Sequence, residues 1–169
     1  MEPVVNKVAK SGLITLDLKK YCDPSIVKEL DIKNFLFQEL LLKEKDFREY
    51  LDQHDWSQYE GHVLAVYCST DAILAPWAYM LVSTHARPFA KDVILGNRER
   101  VIEELYRQAF EQEDWSQFDD RRVIIKGCSD ESIPPSVYLL ITQRLLPHVE
   151  RLMYGEACSF VPVYRKPKN

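Results

Sequence analysis

An α/β architecture follows from three features of this sequence: helix-strand-helix-strand units, present twice, forming a mostly parallel sheet with helices on both faces. The first feature is internal self-similarity. Asp55-Trp56-Ser57-Gln58 returns as Asp114-Trp115-Ser116-Gln117. The same spacing of about 60 residues carries Cys68-Ser69 onto Cys128-Ser129, Tyr79 onto Tyr138, Pro88 onto Pro147 and Gly96 onto Gly155. The second feature is a pair of short apolar runs without alternation, residues 63–67 and 123–127, the pattern of strands covered on both faces. The third is proline, at Pro76 and at Pro134-Pro135, where a helix can open because its first turn has no use for the missing N–H.

In chain order, Ile14, Leu16 and Leu18 alternate with polar neighbours and predict a strand, and residues 35–42 predict another. The repeats then occupy about residues 43–96 and 102–155 of a single domain spanning 1–169. Each opens with a helix whose apolar residues recur at three and four: Phe47, Tyr50 and Leu51 in the first; Leu105, Tyr106, Ala109 and Phe110 in the second. The Asp-Trp-Ser-Gln corner closes that helix, with Trp56 and Trp115 expected in the core. The apolar strand and the proline-opened helix come next. A last strand, residues 93–95 or 152–154, is then stopped by glycine. Residues 160–164 are interrupted by Pro162 and belong at a sheet edge, and the basic end, 165–169, is expected to fray. The charged stretch 98–104 reads as a solvated helix face.

Composition narrows the function classes. With 46% apolar and 28% charged residues the chain is an ordinary globular one, and a formal charge of −4 gives no basic excess for nucleic acid or anionic lipid. No signal segment opens the sequence and no apolar run is long enough to span a bilayer, so a cytoplasmic location is expected, with no membrane and no nucleic acid as partner and room for a homodimer. The five glycines never cluster, which removes the phosphate-cradling loops of nucleotide-binding proteins.

The chemistry-bearing candidates are thiols. Four cysteines without a CxxC pair do not make a secreted disulfide framework. Cys68, Cys128 and Cys158 each precede a serine and follow a strand, so one parallel sheet would gather all three at its carboxyl edge, where ligands collect. Three thiolates sharing that rim would hold zinc or iron, with Asp71, Glu131 or Glu156 as a carboxylate ligand or neighbour. Against this stands the plainer reading, in which cysteine is a small buried apolar residue and the following serine a helix cap. Cys22, with no counterpart and no following serine, belongs outside any cluster. Thiol catalysis is weaker, because a base is needed within reach. His62 lies at the far end of its strand, roughly 20 Å from Cys68. His54, His85 and His148 fall towards helix ends at the opposite edge. Trp77, facing Ser136 in the other repeat, marks a place where a ligand could enter one half only.

With these pieces placed, the chain resembles a bacterial family catalogued as domain of unknown function number 2480. The residues that carry the likeness are Asn6-Lys7-Val8-Ala9 with Ser11-Gly12-Leu13, Leu42-Lys43-Glu44-Lys45-Asp46-Phe47-Arg48-Glu49, Pro76-Trp77-Ala78-Tyr79-Met80, Lys126-Gly127-Cys128-Ser129 and Gly155-Glu156-Ala157-Cys158-Ser159. The resemblance spans nearly the whole chain. It implies a small cytoplasmic protein from gene neighbourhoods for iron-sulfur cluster assembly, an association that points to iron-sulfur assembly proteins as partners, and it supplies no catalytic residues. Where the family pattern has Thr-Val-Pro after the last Cys-Ser, this chain has Phe160-Val161-Pro162. Two functions stay open: a non-enzymatic metal-binding or iron-sulfur assembly accessory protein using the cysteine rim, and an interaction module with inert cysteines.

Overall fold

The computed structural model describes residues 12–127 and 132–167. Strands and helices alternate and the strand pairing is mostly parallel, as the sequence leads one to expect, but the strands are shared between two sheets where one was expected. The chain divides into two compact units, residues 1–23 with 103–169, and residues 24–102.

The 24–102 unit holds a three-stranded parallel sheet in the order β2-β3-β4: β2 (Val27–Asp31), β3 (Val63–Tyr67) and β4 (Asp92–Leu95). Val63, Leu64, Ala65 and Val66 are all buried, which is why β3 shows no alternation in sequence. Helix α1 (Glu44–Gln53) buries Phe47 and Leu51 completely, four residues apart on one face, while Tyr50, expected beside them, points out at 47% exposure. Helix α2 (Pro76–Ala86) opens on Pro76 and buries Ala78, Val82 and Ala86. Residues 35–42 are not a strand. A 3-10 turn (Ile32–Phe35) leads into a tight turn where Gln38 and Glu39 both have positive φ, 51° and 60°, and Leu40 N–H donates to the Phe37 carbonyl at 3.2 Å.

The other unit holds a four-stranded sheet in the order β1-β5-β6-β7: β1 (Leu13–Leu16), β5 (Arg122–Lys126), β6 (Arg151–Glu156) and β7 (Ser159–Arg165). The β1–β5 and β5–β6 pairs are parallel, and β7 turns back antiparallel against β6. Helix α3 (Arg98–Glu111) crosses the division between the units and buries Tyr106 and Phe110 within this one. Helix α4 (Pro135–Leu145) opens on Pro135 and buries Val137, Ile141 and Leu145. Three expectations are corrected here. Gly155 does not stop β6, which runs on to Glu156 and into a hairpin. Arg165 ends β7 and Lys166 is held, its N–H donating to the Glu150 carbonyl at 2.9 Å and its Nζ to Asp120 at 2.8 Å, so the basic end is anchored there. Arg98 is no solvated side chain: its guanidinium donates to the Pro24 carbonyl at 2.7 Å and also to the Val27 carbonyl.

The Asp-Trp-Ser-Gln corners have the same construction in both units. Asp55 and Asp114 each cap a 3-10 turn, accepting from the backbone N–H and the hydroxyl of the serine two residues on. Trp56 Nε1 donates to the Leu51 carbonyl at 2.8 Å, and Trp115 Nε1 to the Phe110 carbonyl at 3.0 Å. Gln58 and Gln117 reach back to the carbonyl of their own aspartate at 2.7 and 2.8 Å. Each set satisfies the groups that a helix end and a turn would otherwise leave bare.

Candidate functional site

The thiols come first. Cys68 stands directly after β3, half-buried, with Sγ 3.4 Å from Thr70 Oγ1. Because the Thr70 hydroxyl spends its one proton on the Glu39 carbonyl at 3.0 Å, the Cys68 thiol is the donor in that contact. Asp71 is exposed in the loop beyond. Cys158 is exposed in the turn between β6 and β7, two residues past Glu156. Cys128 and Glu131 lie outside the described residues. Cys68 therefore follows a strand of the three-stranded sheet and Cys158 a strand of the four-stranded one, so the single sheet edge that would have gathered them is not the arrangement found. Among the described residues no group of three or more His, Cys, Asp or Glu side chains is placed to hold a metal ion. Cys22 is buried, and that burial, with Asp23 beside it, pushes its thiol up to about 11, the condition of an inert packing residue.

The histidines are engaged in local contacts. His85 bridges the Leu81 carbonyl through Nδ1 at 2.9 Å and Asp52 through Nε2 at 3.1 Å. His148 meets Asp119 at 2.6 Å. His54 stacks on Tyr59 with its Nε2 3.0 Å from the tyrosine hydroxyl, and burial lowers its affinity for a proton.

A different constellation, which motif reading missed, lies on the four-stranded sheet. Strand register places Leu13, Arg122, Arg151 and Arg165 side by side across β1, β5, β6 and β7, and residues paired in this way project from one face. Two residues along, the same face carries Ile124, Met153 and Pro162. Together with Phe160, Val163 and Tyr164, these arginines and Met153 line a groove of about 510 Å³. Three like charges on adjacent strands repel one another. Among the described residues only Glu150 offsets them, with Oε2 3.9 Å from Arg122 Nε and Oε1 3.6 Å from Arg151 Nε. Those pairs are half-exposed and longer than hydrogen bonds, so they contribute little. Arg151 Nε is itself buried and makes no hydrogen bond. The only sequence signal was an arginine just before the apolar stretch of β5 and of β6, and that says nothing until the register is known.

Strand β7 is the second unusual feature. It is the edge of its sheet, and Phe160, Val161 and Val163 are 45%, 62% and 51% exposed. The sheet face opposite the arginines carries Ile125, Leu152 and Tyr154, which with Tyr138, Leu139 and Val163, the bulge residue that also lines the groove, surround an apolar hollow of about 440 Å³. Edge strands are ordinarily blunted by charge, proline or a bulge. Pro162 and a bulge opposite Leu152 and Met153 are present here, yet the side chains are apolar.

No helix of the described residues is long and apolar enough to cross a membrane. No curated protein matches the chain, and no solved structure does. A family model, that of a protein family of unknown function designated DUF2480, matches residues 2–166, and the chain belongs to that family.

Proposed function

We propose that this protein is a non-enzymatic interaction module of the cytoplasm, and that it takes an extended segment of a partner protein onto the free edge of β7. The observation that carries the reading is the exposure of Phe160, Val161 and Val163 on a strand that has one neighbour among the described residues. An added strand supplies main-chain hydrogen bonds to such an edge and covers its side chains. The carboxyl end of the strand gives the partner's charge: Arg165 and the neighbouring Arg151 favour an acidic segment. Iron-sulfur assembly proteins fall within this reading as a partner class. Free thiols at Cys22, Cys68 and Cys158 support the compartment. The recurrence of one corner in both units supports reading residues 43–96 and 102–155 as copies of a single ancestral unit within one domain.

The test is photocrosslinking in cells from position 161. A discrete adduct with another protein is expected, lost on Val163→Lys and absent when the crosslinker is moved to the still more exposed Ile73. An adduct with a second copy of the chain, or one that survives Val163→Lys, overturns the reading.

A second reading keeps the thiols. Cys158 is exposed and Cys68 half-buried, so each is accessible to a metal ion, and Cys128, Asp71, Glu131 and Glu156 are the further candidate ligands. Elemental analysis of anaerobically purified protein decides it. Zinc or iron that is lost on Cys128→Ser and kept on Cys22→Ser supports the site, and equal content in both variants ends it.

A further inference from the structure

We propose that the arginine-bearing face of the four-stranded sheet is a binding site for a small organic anion, one acidic head group attached to an apolar or aromatic body. This goes beyond the strand-edge reading and does not depend on it. The head group sits against Arg151, between Arg122 and Arg165, and the body lies over Met153, Phe160 and Pro162.

Four observations converge on this assignment. The groove, at about 510 Å³, has the size of small-molecule sites, which run from roughly 300 to 1,000 Å³ and pair apolar walls with a few convergent polar groups. Its positive charge is concentrated on a chain whose net charge is −4, and one carboxylate, that of Glu150, stands against three guanidinium groups. Arg151 Nε is buried with no hydrogen-bond acceptor, which costs free energy that an anion's oxygen would recover. Finally, the scaffold does not require the arginines. The corresponding row of the three-stranded sheet is Val27, Val63 and Asp92, and that sheet pairs in parallel just as well. Guanidinium groups suit carboxylate, phosphate and sulfonate alike, because their paired N–H donors match two oxygens of one head group.

The experiment uses the full chain and the fluorescent dye 8-anilinonaphthalene-1-sulfonate, an aromatic anion, with uncharged N-phenyl-1-naphthylamine as its neutral counterpart. Saturable one-to-one binding of the sulfonate is expected, weakened by roughly tenfold or more on Arg151→Gln, the loss of one charge-assisted contact. Arg165→Gln, at the exposed sheet edge where folding is not at stake, is expected to weaken it several-fold. Raising the salt from about 0.05 M to about 0.5 M weakens it further, because the site is open to solvent. Leu139→Ser, on the opposite face, and Val161→Ser, on the strand edge, leave it unchanged. Equal affinity for the neutral dye, unchanged binding in Arg165→Gln, or loss in Val161→Ser equal to that in the arginine variants would each overturn the proposal. The last outcome would show the dye reporting the apolar edge, and the strand-edge reading would stand without the anion site.

Discussion

The two units use one construction and end differently. In each, a helix runs into an Asp-Trp-Ser-Gln corner, a parallel strand, a proline-opened helix and a second parallel strand. After β4 the chain turns at Gly96, whose N–H donates to the Val66 carbonyl at 2.8 Å, and enters α3. After Tyr154 the chain passes through Gly155 and folds back as β7. Among the described residues the second ending exposes the longer apolar stretch, Phe160, Val161 and Val163 against Leu95 alone in β4, and it is there that arginines stand in register. The lesson is that the shared construction carries the buried corners, while the departure from it carries the exposed strand on which the proposed binding rests.

That contrast can be broken at several points. The largest effect is expected at the corner tryptophans. Trp56 is 6% exposed and Trp115 half-buried, so Trp56→Ala should cost about 3 to 5 kcal/mol in denaturant unfolding and Trp115→Ala visibly less. Hydrogen exchange at β3 and β5 amides assigns each loss to its unit. Equal costs would mean that burial does not distinguish the two corners.

The glycines come next. A Cβ on Gly155 (φ +127°) would meet the Ser159 carbonyl oxygen at 2.6 Å, a backbone atom that cannot step aside. On Gly96 (φ +146°) the nearest atom is Arg100 Cγ at 2.7 Å, on a flexible side chain. Gly155→Ala should therefore cost about 2 to 3 kcal/mol and open the β6–β7 hairpin, with Gly96→Ala nearer the low end of the roughly 1 to 3 kcal/mol range for such strain. Protection of β7 amides from exchange is the readout.

The capping aspartates should instead behave alike. Hydrogen bonds from Ser57 and Ser116 hold the Asp55 and Asp114 carboxyls below their ordinary range. A carboxyl depressed in the folded state gives stability that is full above its unfolded value of 3.8 and is lost as pH falls through the folded one. Asp55→Asn and Asp114→Asn should each flatten acid unfolding below about pH 4 by the same small amount. The smallest effect separates the units again, because the residue before the corner is His54 in one unit and Glu113 in the other. Burial depresses the His54 pKa, so the folded state prefers the neutral ring. Its contribution is full above the unfolded value of 6.5 and fades as pH drops below it. Thermal melts between about pH 7 and pH 5.5 should show a slight decline that His54→Gln removes.

Much of the fold was legible because its determinants are local. The corners, the prolines of α2 and α4 and the limits of β3 are written in consecutive residues. Strand β2 was not, since Lys28, Glu29 and Asp31 give it the look of a loop while only Val27 and Leu30 are buried. Nor was the division into two sheets, because nothing around Leu13 says that its neighbour is Arg122. The arginine row was hidden for the same reason. It exists only through register, which periodicity does not carry, whereas cysteine spacing points to the strand ends.

The pairing of β1 with β5 has a consequence for synthesis. Leu13 leaves the ribosome about 110 residues before the Arg122 beside which it will lie, whereas β2, β3 and β4 all emerge within one stretch of chain. The three-stranded sheet can close while translation continues. Strand β1 must wait until β5 has been made, so the three-stranded unit can be complete while the four-stranded sheet is still unassembled.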